Sequence, residues 1–411
     1  MISNEPFMTG LNKIIPKLKL RASYGLVGND QLSGRRFAYI SSVNSITGYT
    51  FGISGSQTVN GLVEGDFGIE DLSWETVKKF NLGLEIGILD AINIQADIFH
   101  ERREDIFMQR KTVPETAGFN VNPWANFGIV ENRGFEVNID ANKRLSKDWH
   151  ISARGGSFTF ARNKIIEYDE SESLKNTTRS RTNQSMNQYF GLKAIGLFQE
   201  EDFKADGSLV NGIPNHTFGQ VKPGDIRYED TNLDGKVDAY DYQPIGKPSV
   251  PEIIYGFGVS TKYKNLDLSM FFQGAANFSN MIQGDLLIPG SGGGGLGNIY
   301  SNYADRWIPE DPYRQVFWPR LSVNVSSNNM LYSTWWLKDA SYLRLKNLEL
   351  GYTLPKQWQK SAHMRDARIF FRGTNLFTWS VFDMWDPEIG SSNGLKYPPM
   401  KVYSVGFQVS F

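Results

Sequence analysis

Cysteine is absent from the 411 residues, which excludes disulfides, thiolate-ligated zinc and thiol catalysis. Histidine is scarce. His100, His150, His216 and His363 are the only four, and no two stand at the spacing of a metal site. Neither sign of charge dominates: 43 Lys and Arg oppose 44 Asp and Glu, for a net charge of −1. A nucleic-acid partner is therefore not expected. Long apolar runs are missing too. The longest stretch without charge, Phe37 to Val63, is more than half Ser, Thr, Asn, Gln and Gly, so no membrane-spanning helix is expected there. The opening residues carry Glu5 and lack a basic segment followed by an apolar one, so no signal peptide is expected. No catalytic constellation is evident either, and the chain is not read as an enzyme. Gly52-Ile53-Ser54-Gly55-Ser56 lacks the second glycine of a nucleophile elbow. Pro289 to Gly295 is glycine-rich but lacks the Lys-Ser/Thr of a phosphate loop, which suits a loop tip.

What the chain has in abundance is aromatic residues, at 13%, and period-two alternation. Phe80, Leu82, Leu84, Ile86 and Ile88 alternate with Lys79, Asn81, Gly83, Glu85 and Gly87, and the pattern resumes at Ile92, Ile94, Ala96 and Ile98. Such a hairpin has one oily and one polar face. Ten strands of this kind are expected: 18–26, 76–88, 92–103, 134–144, 148–161, 253–263, 266–276, 341–354, 367–377 and 401–411. The parity slips near Lys346-Asn347, which predicts a bulge. Long connections (27–75, 104–133, 162–252, 277–340 and 378–400) strictly alternate with short ones, so all long loops fall on one rim of an up-and-down sheet. Outer-membrane barrels show that asymmetry, with the long loops outside the cell.

A soluble sandwich or propeller also alternates. However, the polar rows here carry Lys17, Lys19, Arg21, Glu85, Asp97, Glu136 and Asp140, as a water-filled lumen requires. The expected fold is all-β, a transmembrane antiparallel barrel wall. The last strand places Tyr403, Phe407 and Phe411 on one face and ends on an aromatic, the pattern that outer-membrane assembly machinery reads.

Two loop features suggest ligands. Asp230, Asn232, Asp234, Lys236 (through its carbonyl), Asp238 and Asp241, with Gly235 at the sixth position, follow the spacing of a twelve-residue calcium loop. Asp at the last position shortens the bidentate reach, and an acidic turn without an ion is the alternative. The connection 277–340 is dense in aromatics: Tyr300, Tyr303, Trp307, Phe317, Trp318, Tyr332, Trp335 and Trp336. Packing within the loop is favoured over a surface stacking on sugar or peptide; Trp307 and Trp318 are the candidates for the latter.

Several stretches, in order, resemble the carboxyl-terminal barrel of the SusC/RagA family of TonB-linked outer-membrane proteins. They include Leu18 to Gly25 with Gly28-Asn29, Leu72-Ser-Trp-Glu75 with Asn81 to Glu85, Asn126 to Glu136, and Asn163-Lys-Ile165. Tyr189-Phe-Gly191, Gly196-Leu-Phe198, Gly224-Asp-Ile226, Ala340 to Asn347, Leu350 to Pro355, Asn375-Leu-Phe377 and Asp386-Pro-Glu388 complete the series. The resemblance implies a 22-stranded barrel of which residues 1–411 are about the last ten strands, without the plug or the TonB-contacting segment. It also implies import of an oligosaccharide or peptide, a SusD-like surface lipoprotein as lid, energy from TonB through the missing amino-terminal part, and a Bacteroidetes-like outer membrane. A passive outer-membrane pore and a soluble, calcium-dependent glycan-binding β-protein are the rival readings.

Overall fold

The computed structural model describes residues 1–32, 34–283, 288, 300–323 and 325–411, so the glycine-rich run 289–295 lies outside the described residues. Ten strands form one antiparallel sheet in strict chain order. They are β1 (Lys17–Asn29), β2 (Glu75–Ile88), β3 (Ile92–Gln109), β4 (Trp124–Arg144), β5 (Trp149–Glu167), β6 (Ile253–Tyr263), β7 (Leu266–Ala276), β8 (Tyr342–Thr353), β9 (Asp366–Ser380) and β10 (Val402–Ser410). Among the described residues β1 pairs only with β2 and β10 only with β9, so the wall has two open edges.

The expected strands are all present, but β3, β4 and β5 run further than their alternation suggested. Their ladder continues to Gln109 paired with Trp124 and to Ile129 paired with Glu167. The reason lies in bulges: the register of β3 shifts between Arg103 and Ile106, where Asp105 has a positive φ of 58°. That extra residue flips the parity and hides the continuation from a period-two reading. The bulge expected at Lys346-Asn347 is observed as a register shift between Leu345 and Asn347.

The oily rows point away from the lumen side and stay uncovered. Val405 keeps 77% of its surface and Phe407 60%. Trp149 and Tyr263 meet edge to face at the short-turn end of the wall, while Phe135, Phe158 and Phe160 cluster towards the long-loop end. A tilted strand segment of this length spans the ~25 Å apolar band of an outer-membrane barrel.

On the opposite face the polar residues pair across two strand spacings. In register, Arg21 lies opposite Gly83, which lies opposite Asp97. The Arg21 guanidinium reaches over the glycine to Asp97 at 3.0 Å. A diagonal version recurs further along: Asp267 lies opposite Gly351, Arg368 lies opposite Thr353 two residues on, and the Arg368 guanidinium leans back over the glycine, its Nε donating to Asp267 at 3.1 Å. A Cβ on either glycine would collide with these side chains, so the middle strand must be bare there.

The apolar core sits above the wall, in the loops. Leu192, Ile226, Tyr228, Val237 and Ile245 from 168–252 pack with Met281, Trp318 and Trp336 from 277–341 and with Phe382 from 381–401. Short ladders stitch it together: Tyr189–Gly191 with Gln243–Ile245, Ala194–Leu197 with Ile226–Tyr228, and Ser279–Met281 with Leu337–Asp339. Three separate connections thus make one packed body on a single rim.

Candidate functional site

The site is the long-loop rim together with the charged inner wall below it. Along that wall Glu85 gathers Lys17 (2.8 Å), Lys19 (3.5 Å) and Arg21 (3.0 Å), and Asp97 also accepts from Gln95 at 3.1 Å. Further along, Glu349 accepts from Arg368 (2.8 Å) and Arg372 (2.6 Å). Charges of both signs in an aqueous lumen keep the wall wet without one dominant field.

The loop body is fixed by a buried polar network that the residue pattern did not reveal. Asp225 has no exposed surface. It pairs with Arg320 at 3.0 Å and accepts from Asn329 Nδ2 at 2.9 Å and from the Lys222 N–H at 2.8 Å. Asn329 Oδ1 takes the Ile226 N–H, Asn328 Nδ2 donates to the Ile226 carbonyl, and Tyr228 donates to the Asn328 carbonyl. Buried groups so fully partnered fix one arrangement of the loops rather than many. Gly224-Asp225-Ile226 was visible as a motif; its role was not, because the partners lie about a hundred residues away.

Beside this body a cavity of about 910 Å³ opens, lined among others by Arg110, Thr112, Tyr168, Asp169 and Lys175. Burial by itself would raise the Asp169 carboxyl, but Arg110, Thr112 and the Lys111 and Thr112 N–H groups override it and hold it well below the usual carboxylate range.

The calcium-type loop folds as a set of turns closed on itself. Asp241 accepts N–H groups of Thr231 (2.7 Å) and Asp238 (2.8 Å), Asp230 accepts that of Gly235 (2.8 Å), and Asp234 that of Lys236 (2.9 Å). Asn232 accepts from the Asp234 N–H and Asp238 from the Tyr240 N–H. Gly235 has the positive φ, 84°, that the turn needs. Among the described residues no three His, Asp or Glu side chains converge as a metal cage does. Trp307 and Trp318 both lie inside the loop body. Trp318 is fully buried against Tyr300, Phe317 and Trp336, its Nε1 donating to Asn302 at 3.2 Å. In this conformation neither ring offers a face to a ligand. Tyr403, Phe407 and Phe411 share the outward row of the edge strand β10 and its end, Tyr403 stacked on Phe371.

Residues 8–376 match the model of the TonB-dependent receptor-like β-barrel family. The chain belongs to that family. TonB-dependent receptor P3 of Formosa agariphila is 27% identical over 438 residues, covering 100% of this chain and 41% of that protein. TonB-dependent receptor SusC of Bacteroides thetaiotaomicron is 25% identical, over 100% of this chain and 39% of SusC. The RagAB peptide importer in its open-open state superposes with a TM-score of 0.74 at 24% identity, covering 100% of this chain and 42% of that one. The chain therefore spans about two fifths of the length of the relatives it matches. The SusC/RagA likeness read from the motifs is upheld, and with it the outer-membrane location typical of these receptors in Bacteroidetes. The long-loop rim of a TonB-dependent receptor wall faces outward from the cell.

Proposed function

We propose that these residues form the carboxyl-terminal wall and outer rim of a TonB-dependent importer of an oligosaccharide or peptide. The observation that carries this reading is the single packed body built by three long loops on the outward rim, above a wall whose inner face is charged and wet. A rigid mouth over an aqueous path suits ligand capture followed by passage. Support also comes from likeness to SusC and to a peptide importer, proteins of a family powered through TonB. On this reading a SusD-like lipoprotein lids the rim, and energy enters through the plug-bearing part of the receptor. The outward aromatic row of Tyr403, Phe407 and Phe411 is the element that assembly machinery engages.

The test is uptake of labelled oligosaccharides and peptides by cells bearing the complete receptor, with TonB intact or deleted. We expect uptake of one ligand class, lost with TonB. Uptake that persists without TonB would establish a passive pore instead.

A further inference from the structure

On the outward face of β2–β5 the oily rows give way to charge at the long-loop end. Phe80 is followed by Lys78, Ile98 by His100 and Arg102, Phe135 by Arg133, and Phe160 by Arg162 and Lys164. The Arg162 guanidinium lies 5.5 Å from the Phe160 ring centre, so it is anchored just beyond the aromatic boundary. The acids of this region are already engaged. Glu104 pairs with Lys78 (2.6 Å) and Arg102 (2.8 Å), Glu131 with Arg102 (2.6 Å), and Glu252 with Arg162 (2.6 Å). Arg133 and Lys164 are exposed and have no ion-pair partner among the described residues. Arg133 also stands directly opposite Arg162 in the β4–β5 register. Like charges facing each other across a strand pair repel; Glu252 offsets the charge of Arg162, while Arg133 has no ion-pair partner of its own among the described residues. A cleft of about 390 Å³ opens at this point, lined by Arg133, Arg162, Lys164 and Lys247 together with Glu131 and Glu252. The outward rows of β6–β9 end without a cation, in Ile253, Ala276, Leu343 and Trp379.

A one-sided basic patch immediately above the apolar band faces the headgroup layer, where the anion at hand is lipid phosphate. We infer that Arg133 and Lys164, with Arg162 beside them, seat the phosphate of a phosphorylated lipid headgroup in the outer leaflet. Guanidinium groups grip phosphate oxygens in pairs, and the nearby ammonium adds a point charge. The inference rests on the membrane location of the wall and is independent of what is transported.

The experiment uses the complete receptor, delipidated in mild detergent, with binding measured to phosphatidylcholine vesicles with and without phosphatidic acid, and to inorganic phosphate alone. We expect preference for the phosphatidic-acid vesicles and no measurable uptake of inorganic phosphate. In Arg133→Ser/Lys164→Ser that preference weakens by about thirty-fold, the effect of two interfacial cations. A Lys204→Ser control in a remote loop keeps it, and Arg133→Lys with Lys164 intact restores most of it. Equal binding by wild type and the double variant, with both showing the same heat-dependent gel mobility, overturns the inference. So does uptake of inorganic phosphate without preference for the lipid.

Discussion

His216 shows how one side chain ties the rim to pH. It is buried beside Phe198 and Tyr228, its Nδ1 2.9 Å from Asn328 Oδ1, while Nε2 has no hydrogen-bond partner among the described residues. Burial depresses the imidazole pKa below its ordinary value, against the opposing pull of Asn328. The folded loops therefore bind this proton less well than the unfolded chain. Above about pH 6.5 both states are neutral and nothing is lost; as pH falls below that value the unfolded state gains, and the loop body weakens. We expect hydrogen-exchange protection at Ile226 and Val237 to fall on acidification from neutral pH, and His216→Gln to flatten that response. The acidic loop carries a second residue-scale prediction. Each carboxylate oxygen that accepts one N–H keeps a lone pair for a hard cation, and Asp234 is exposed, so we propose uptake of one Ca²⁺ per chain, lost in Asp234→Ala. Equal calcium content in both proteins would refute it. The acidic spacing could be read from the residues because its members are contiguous. The burial of His216 could not, since it depends on Asn328, far along the chain.

Between elements, the family motifs act as clasps. Arg344, 1% exposed, lies in the Ala340–Asn347 stretch and forms an ion pair with Asp386 of the Asp386-Pro-Glu388 stretch; a second bond from its guanidinium to Asp386 is 2.6 Å long. Asn29 donates to Glu75 at 3.1 Å, and Asn126 donates to the carbonyls of Ser73 and Asp105. The motifs were recognisable in the residues, but not which joined which, because side-chain pairing across loops leaves no periodicity. Truncating the buried Arg344 to Ala leaves the partly buried Asp386 carboxylate without its cation, and we expect a loss of about 1–3 kcal/mol by thermal unfolding in detergent, with Arg344→Met less harmful. The bare strand positions under the inner-wall ion pairs give another test. Gly83→Val and Gly351→Val displace Arg21 and Arg368 respectively and should each cost about 1–3 kcal/mol. Equal stability of these variants and wild type would show that the wall yields there freely.

At the scale of the whole molecule, alternation and loop lengths disclosed the wall, its order and its rims, because strand pairing between chain neighbours is a local property. The cooperative loop body stayed hidden, since its core draws on three separated segments whose apolar residues lack a period. The two open edges lead to a further expectation. Unpaired N–H and C=O groups on β1 and β10 are costly in hydrocarbon. Residues 1–411 expressed by themselves should fail to acquire the heat-dependent gel mobility of a closed barrel, and co-expression with the complementary strands should restore it.

The shared core above the wall bears on engineering of this receptor. A graft of any one of its three contributing segments from a relative would arrive with the wrong half of a jigsaw, leaving Trp318 or Ile226 facing a void. New ligand preferences are thus to be sought by transplanting all three together, as one interchangeable cartridge.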